Sequence, residues 1–313
     1  MKYLSICLPT NGVIEWVFPV LDKVYEQEID TDLYEVIVTD NGNSQDFFEQ
    51  MSIYADKHSN LIYRKTNAFL FENQIEALKL GTGEYLKFLN HRSVLEPGAL
   101  QWMIDLIKET INEKPVIFLS NGALQTGKRY EYDSFDGFVC GLKEYASWTT
   151  GVGVWRSDFE KIPNDKVYNK ISPHSDVLFA ERHRGKYIID DHCWSHEIDT
   201  DHNKKGKYDL YKAFGVEELT VTLNLYIDGD ITGNTFKKVK KAYRKCLSGM
   251  YRQFNVLKKP CSYVLDNFND AMGIFFNKWT VLVCAYLGIP KMIAIRLFHT
   301  MKELFNREGF GSN

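Results

Sequence analysis

Short apolar runs alternate with longer helix-like stretches over the first 120 residues of the 313-residue chain. The apolar runs predict buried strands at residues 2–8, 34–39, 61–63, 85–89 and 115–119. The intervening stretches predict helices at residues 13–27, 46–57, 69–80 and about 97–113. Because strands that alternate with helices form parallel sheets covered on both faces, we expect an α/β fold with a mostly parallel sheet.

The stretch GEYLKFLNHRSVLEPG, residues 83–98, lies at the centre of this pattern. It begins as a buried strand, continues as the polar turn Asn90–Ser93, and reaches Pro97, which suits the first turn of a helix. Right-handed crossovers would place this turn on the same sheet edge as Pro9–Thr10 and Asp40–Asn41. Ligands of open α/β sheets bind at that edge, so we expect the site there.

The composition changes near residue 205, which we take as a boundary between residues 1–205 and a helical region at 206–313. Residues 236–259 contain no Asp or Glu, and aromatic and aliphatic residues interrupt their basic ones. The basic positions are Lys237, Lys238, Lys240, Lys241, Arg244, Lys245, Arg252, Lys258 and Lys259. This pattern suits a solvated helix face, an anionic membrane surface with apolar faces inserted, or a helical contact in a homo-oligomer.

Charge and cysteine content exclude several classes of protein. The net charge of -3 and pI of about 6.3 do not suit a nucleic-acid binder, and no binding motif accompanies the basic segment. The six cysteines are scattered without a CxxC pair, which indicates reduced, cytosolic thiols. We expect no signal peptide, because no long apolar run precedes Pro9, and residues 279–289 are too short to span a bilayer.

Four segments together resemble the large glycosyltransferase family two, which has the GT-A fold. They are SICLPTNG, YEVIVTDNGNSQD, the segment from Asn67 to Asn73, and GEYLKFL with LEPGAL after the polar turn. The resemblance covers roughly residues 3–205 and implies an inverting transfer from a nucleotide-sugar donor. It also implies that the donor is held by a group of residues near the sheet edge: Pro9, Thr10, Asn11, Asp40, Asn67, Asn73 and Asn90.

The central turn departs from this family. Members usually carry an Asp-rich turn that holds a divalent cation on the donor pyrophosphate, whereas this chain has no carboxylate between Asn90 and Glu96. Mg²⁺ or Mn²⁺ is therefore doubtful as a cofactor. Arg92, together with His91, could replace the metal as the fixed positive charge. The alternatives are a metal held by displaced ligands and a relative without catalysis.

The resemblance also suggests a base and an acceptor surface. Asp176, in the segment PHSDVLF, matches the carboxylate that takes the acceptor proton, although a carboxylate in the first helical turn also complements the helix dipole. Asp190 and Asp191 are the fallback. We expect Trp148, Thr149 and Thr150 to form a sugar platform, unless they belong to a packed core strand.

Several histidines follow the fallback carboxylates, and His196 could touch the donor phosphates. The spacing of His192, Cys193, His196, Asp199 and His202 permits a metal site on a helix, but Cys193 would point away from the common face. Because zinc sites of this kind are uncommon in the family, we expect surface histidines with ordinary partners.

The sequence as a whole favours a bacterial glycosyltransferase of capsule or O-antigen synthesis, and we expect it to act on a lipid-linked oligosaccharide acceptor. We expect it in the cytoplasm, peripheral to the inner face of the plasma membrane, which the segment Lys237–Lys259 would contact. The competing hypotheses are a GT-A relative that only binds nucleotide or glycan, and a scaffold built from the C-terminal helices.

Overall fold

A computed structural model describes residues 1–199, 201, 205 and 207–290 of the chain. Ten strands occur in these ranges: β1 Leu4–Thr10, β2 Tyr34–Asp40, β3 Leu61–Lys65, β4 Tyr85–Phe88, β5 Ser93–Leu95, β6 Val116–Leu119, β7 Arg129–Tyr132, β8 Gly153–Trp155, β9 Tyr187–Asp190 and β10 Ser195–Glu197. Each strand predicted in the first 120 residues is present, and β1 and β2 run on to Thr10 and Asp40.

The main sheet has the strand order β3-β2-β1-β4-β8. Its first four strands are parallel, with Leu4 opposite both Tyr34 and Tyr85, and β8 is antiparallel to β4. A second sheet has the order β6-β9-β7, and a bridge between Phe118 and Val152 joins it to the first. The parallel strands end at one edge, which we call the carboxyl edge.

Twelve helices occur in the described ranges: α1 Ile14–Tyr25, α2 Gln45–Asp56, α3 Asn73–Leu80, α4 Ala99–Thr110, α5 Phe135–Leu142, α6 Arg156–Phe159, α7 Pro173–Leu178, α8 Leu210–Lys212, α9 Glu218–Ile227, α10 Gly233–Tyr251, α11 Phe268–Phe275 and α12 Lys278–Pro290. A π-helical segment, Ala213–Glu217, joins α8 to α9, and another, Arg252–Val256, extends α10.

The two faces of the main sheet carry different helices because side chains alternate along each strand. In β1, Ile6 and Leu8 pack in one buried cluster with residues of α1, α2 and α4. Cys7, between them, belongs to a second cluster that contains residues of α3, α5, α7, α9 and α10. The sheet is thus covered on both faces, as the alternating sequence pattern predicts.

The C-terminal helices share the second cluster. Leu219 of α9 and Val239 and Tyr243 of α10 are buried with Phe118 and Phe138 of the α/β part. The boundary near residue 205 therefore separates two segments that pack on one another. The apolar side of α10 faces this core and is not available for insertion into a membrane, so only the charged side of the segment Lys237–Lys259 could meet one.

Three local predictions differ from the structure. Pro97 precedes the helix, which begins at Ala99 after Gly98 with φ +79°, a conformation that suits glycine. The helix predicted at 69–80 starts as a 3-10 turn at Leu70–Glu72 before α3. The chain after the central turn forms β5, which pairs with β10 about 100 residues later, and β10 lies where the histidine spacing had suggested a helix.

No single helix among the described residues is long and apolar enough to cross a membrane. Helices α11 and α12 are bent by 110° at the break between them. Taken together they are long and apolar enough to cross a membrane, judged by length and composition alone.

Candidate functional site

The ends of β1 and β4 meet through a side-chain hydrogen bond. Thr10 Oγ1 lies 2.8 Å from Nδ1 of His91, and Thr10 Oγ1 also accepts the backbone N–H of Gly12 at 3.1 Å. The contact forms because β1 and β4 are adjacent parallel strands whose carboxyl ends coincide. The first and third of the predicted edge segments are therefore in contact.

Asp40 ends β2 with a carboxylate that is fully buried. Its Oδ1 accepts the backbone N–H of Gly42 at 2.7 Å, and its Oδ2 accepts the Tyr63 hydroxyl and the Lys65 ammonium, each at 3.0 Å. Tyr63 and Lys65 are two residues apart on β3, so their side chains lie on the same side of that strand. These contacts fix the turn after β2 at the carboxyl edge.

Asn73, the first residue of α3, ties three elements together at this edge. Its Nδ2 donates to the carbonyls of Thr10 at 3.2 Å and Thr39 at 2.8 Å, and its Oδ1 accepts the Thr66 hydroxyl at 2.8 Å. The side chain is buried, so all of its amide groups are used in protein contacts. Asn73 therefore orients the backbone of the edge.

The turn Asn90–Ser93 is held by its own side chain and by Trp16. Asn90 Oδ1 accepts the backbone N–H of Arg92 at 3.1 Å. The His91 ring meets the Trp16 ring edge-on at a centroid distance of 5.0 Å, and the Arg92 guanidinium carbon lies 5.5 Å from the same ring. Trp16 on α1 thus contacts both residues of the turn that were predicted to supply positive charge.

The electrostatics of His91 and Arg92 differ. Burial, and then the positive charges of Arg92 and Lys205, lower the pKa of His91 to about 3, so its ring is neutral at physiological pH. Arg92 forms no ion pair with any described residue, and its Nε is buried without a hydrogen-bond partner. Burial and Arg92 also lower the pKa of Lys205, which lies near the same turn. The positive charge at this edge comes from Arg92 and Lys205.

These residues do not fit a divalent cation. Mg²⁺ and Mn²⁺ need oxygen ligands with negative charge, whereas the turn offers one amide, a neutral ring engaged with Thr10, and a guanidinium. Glu96, the first carboxylate after the turn, accepts from His196 Nδ1 at 2.7 Å. In the described part of the chain, no group of three or more His, Cys, Asp or Glu side chains is arranged as a metal site.

Lys87 connects the end of β4 to the predicted sugar platform. Its ammonium is buried and donates to the carbonyls of Phe88 at 3.0 Å, Val152 at 3.2 Å and Thr150. It also lies 4.9 Å from the Trp194 ring centroid. Because three carbonyls from two segments converge on one ammonium, Lys87 fixes the segment before β8 against the central strand.

A buried polar network continues from the platform to α7. Thr149 Oγ1 lies 3.2 Å from His174 Nδ1, and His174 Nε2 lies 3.0 Å from the Ser147 carbonyl. Ser175 and Tyr243 donate to the Glu218 carboxylate at 3.3 Å and 3.4 Å. Burial raises the pKa of Glu218 to about 7 and lowers that of His174 to about 4. The network joins α9 and α10 to the platform.

Asp176 lies in the first turn of α7, next to this network. Its Oδ2 accepts the backbone N–H of Asn169 at 2.6 Å. Burial raises the pKa of its carboxyl group, and the Asn169 bond and the charge of Lys166 act in the opposite direction. A half-buried carboxylate with a raised pKa is suited to accept a proton. Asp176 also lines a cavity of about 400 Å³ between α7, α9 and residues 161–166.

The fallback carboxylates have structural partners. Asp190 accepts from Arg129 Nε at 3.1 Å. Asp191 accepts from Ser120 Oγ at 2.6 Å and from three backbone N–H groups of residues 124–127 at 2.8–3.0 Å. These bonds lower the pKa of Asp191 to about 2 despite its burial. A carboxylate held in this way is a poor proton acceptor, which leaves Asp176 as the better candidate.

The remaining predicted residues have varied positions. Pro9 is the penultimate residue of β1, and Asn11 and the exposed Asn67 belong to connecting segments of the carboxyl edge. Trp148 is half-buried, whereas Thr150 is buried. His196 on β10 is exposed beside Glu96.

The polar cluster after β9 does not form the suggested helical face. His192 is exposed and packs on Trp102 with 4.6 Å between ring centroids, and Cys193 and Asp199 are exposed. His202 lies outside the described residues.

Sequence reasoning missed five residues of the site: Trp16, Tyr63, Lys65, Lys87 and Glu218. Lys87 left a signal, because it is the one polar residue in the strand YLKF. Tyr63 and Lys65 are polar residues two positions apart on β3, the strand next to β2, which was a weaker signal of a role at the site. Trp16 and Glu218 are ordinary members of helical patterns and gave none.

Comparison with known proteins agrees with the fold. The family model described as Glycosyl transferase family 2 matches residues 5–162, half of the chain. No curated protein sequence matches.

Solved structures resemble the chain over most of its length. The structure of S. aureus TarS 1-349 is 15% identical, has a TM-score of 0.58, and covers 88% of this chain and 80% of that one. The same fragment in complex with UDP-GlcNAc is 14% identical, with the same TM-score and coverage. Mannosyltransferase PcManGT from Pyrobaculum calidifontis, in complex with GDP-Man and Mn²⁺, is 13% identical, has a TM-score of 0.54, and covers 91% and 86%. At such identities these structures establish the GT-A fold.

Proposed function

The chain belongs to glycosyl transferase family 2, and on that premise we propose that it moves a sugar from a nucleotide-sugar donor to an oligosaccharide acceptor with inversion. Two structures of the same fold hold such donors, UDP-GlcNAc in TarS and GDP-Man in PcManGT. In this chain the donor would lie along the carboxyl edge, where Thr10, Asp40 and Asn73 converge.

The observation that carries the proposal is the Arg92 guanidinium, which lies at this edge without a carboxylate partner among the described residues. Arg92 is partly buried, and a buried N–H donor such as its Nε costs free energy unless an acceptor completes the site. A guanidinium fork suits the geometry of phosphate oxygens. Arg92 would therefore bind the donor diphosphate and stabilise the charge that develops on it, without a metal ion.

The transfer then needs one base. The acceptor oxygen forms a bond to the anomeric carbon while the bond from that carbon to the donor phosphate oxygen breaks. The acceptor hydroxyl proton passes to the carboxylate of Asp176. The nucleoside diphosphate leaves with the electron pair of the broken bond, and its charge is stabilised by Arg92. Lys87 and the His174–Thr149 contact would hold the predicted sugar platform in a fixed position relative to the donor at the carboxyl edge.

The exposed charge supports a proposal for the location of the protein, and the location in turn supports a proposal for the acceptor. The lysines of the segment Lys237–Lys259 that point to solvent favour contact with an anionic membrane surface, each by about 1 kcal/mol. We therefore propose a cytoplasmic enzyme, peripheral to the inner face of the plasma membrane. Its acceptor would be a lipid-linked precursor of capsule or O-antigen, and a homo-oligomer is the alternative use of the same region.

The experiment is an assay of nucleoside diphosphate release from a panel of nucleotide-sugars, with and without lipid-linked oligosaccharide extracts. The wild type should release diphosphate from one donor, and Asp176→Asn should lose about 100-fold or more of this rate while it still binds the donor. Asp165→Asn, an exposed carboxylate in the preceding loop, is the matched control and should retain activity. Donor binding with no release by any variant would instead indicate a binding protein.

A further inference from the structure

Helix α12 has two apolar sides, and only one of them is buried. Val281 and Ala285 are fully buried, and Val281 belongs to a cluster with Met272 and Leu247. The opposite side exposes four large apolar residues, with exposed fractions from 52% to 71%: Trp279, Val283, Tyr286 and Leu287. We call these four residues the outer stripe.

The outer stripe is continuous on the helix surface. Its members are spaced by four, three and one residues, which places them on one face. Lys278 is the one charged residue of α12. Scattered exposed apolar residues are ordinary, but a contiguous apolar face of this kind marks a surface that contacts a membrane or another protein.

Basic residues lie beside α12. Lys240 of α10 lies 5.8 Å from the ring centroid of Phe276, just before α12, and the Arg252 side chain packs against Gly288, near its end. Helix α12 therefore runs beside the second half of α10. On α10, Lys237, Lys241 and Lys245 are exposed at four-residue spacing, with no acidic residue between Asp230 and Asp266. Charge complementarity favours an anionic partner.

We propose that the outer stripe is the surface through which the protein docks on an anionic lipid bilayer. The stripe would lie in the interfacial region, where Trp279 and Tyr286 are well suited because such rings are apolar with a polar tip. The lysines of α10 would lie over the lipid headgroups. This inference rests on the proposed peripheral location, and it assigns the insertion to α12, because the apolar side of α10 is buried.

A line of packed aromatic rings runs from the end of α10 toward the carboxyl edge. Rings are in contact from Phe254, after α10, to Tyr263 at 5.5 Å, then to Tyr208 at 5.1 Å, and then to Phe71 at 5.7 Å. Phe71 precedes Asn73, which orients the edge. The end of α10 is thus connected by packed rings to the turn that precedes Asn73.

A second copy of the chain fits the surface less well. In a twofold contact each patch meets the same patch of the partner. The exposed lysines of α10, which runs beside α12, would then approach those of the partner, and like charges brought together oppose association. A lipid surface with anionic headgroups satisfies both the apolar stripe and the exposed lysines of the neighbouring helix α10.

The test is sedimentation of the full-length protein with vesicles of phosphatidylcholine alone and of phosphatidylcholine with phosphatidylglycerol. The wild type should bind the anionic vesicles at least about tenfold more tightly, with high salt reducing the difference. Trp279→Ser combined with Leu287→Ser should weaken that binding about tenfold or more. Ile53→Ser, an exposed apolar change on α2, is the matched control and should leave it unchanged.

Retained donor binding and an unchanged thermal midpoint would show that the double variant is folded and that its donor site is intact. Equal binding to both vesicle types, or binding unaffected by the double variant, would overturn the proposal. So would a wild type that ignores vesicles and forms an oligomer that the double variant dissociates. Vesicle binding does not depend on turnover, so failure here is distinguishable from failure of the proposed transferase activity.

Discussion

Thr10 Oγ1 and His91 Nδ1 lie 2.8 Å apart, at the ends of two adjacent parallel strands. The contact joins the turn after β4 to Thr10, the last residue of β1. Because burial and the nearby cations lower the pKa of His91 to about 3, its ring stays neutral. His91 therefore positions the turn, and the positive charge of the turn comes from Arg92 and not from His91.

Thr10→Val should weaken donor binding while it preserves the fold. Valine has nearly the same shape, but it leaves the His91 nitrogen and the Gly12 N–H without a partner, which costs about 1–2 kcal/mol. Titration calorimetry with the donor should show about a tenfold loss of affinity if the loss of these hydrogen bonds displaces the turn.

Thr110→Val is the control for that experiment. It removes a buried hydroxyl bond to the Leu106 carbonyl on α4 and should lower stability without changing affinity. Equal donor affinity of Thr10→Val and the wild type would show that the contact does not shape the donor site.

The rate should fall in acid through the titration of Asp176. A base must be deprotonated to act, and burial raises the pKa of Asp176, so the acidic limb of kcat should lie above the ordinary aspartate value of 3.8. Lys166 lowers this pKa by its charge. Lys166→Met should therefore move the limb to higher pH, as measured in rate profiles from pH 4 to 8.

Lys170→Met, an exposed lysine of the same loop, should leave the limb where it is. A limb that moves to lower pH in Lys166→Met, or that persists in Asp176→Asn, would exclude Asp176 as the base.

Lys87→Met should destabilise the protein by about 3 kcal/mol at pH 7, because three carbonyls lose their donor. The difference also depends on pH. Burial lowers the pKa of Lys87 from 10.5 to about 7, so above pH 7 the unfolded state holds more protons at this site than the folded state. Wild-type stability should rise, relative to the variant, between about pH 7 and 10.

Urea titrations at pH 7 and pH 9 measure this difference. Lys108→Met, an exposed position on α4, provides a control with the same change of side chain. A pH-independent gap between Lys87→Met and the wild type would mean that the ammonium does not change its protonation on unfolding.

The carboxyl edge was accessible to sequence reasoning because each of its parts is local. Pro9–Thr10, Asp40 and Asn90–Arg92 each end an apolar run, and the handedness of the crossovers brings such ends together. The helix that carries Asp176 begins at Pro173, as a proline in the first turn predicts. Short-range pattern was sufficient for these elements.

The remaining features depend on contacts between distant segments. The pairing of β5 with β10, the Lys87–Thr150 bond and the Ser175–Glu218 contact join residues 43 to about 100 positions apart. The neutrality of His91 depends on burial, which a polar turn does not reveal. The exposed side of α12 could not be told from its buried side, because both are apolar.

The central claim is that the Arg92 guanidinium takes the place of a metal ion on the donor diphosphate. Calorimetric titration with UDP and GDP, each with Mn²⁺ and with excess chelator, tests it most directly on the wild type, Arg92→Lys and Arg92→Ala. We predict binding that is unchanged by chelation, reduced in Arg92→Lys because the fork is lost, and reduced at least tenfold in Arg92→Ala. Binding that requires Mn²⁺ and survives in Arg92→Ala would contradict the claim.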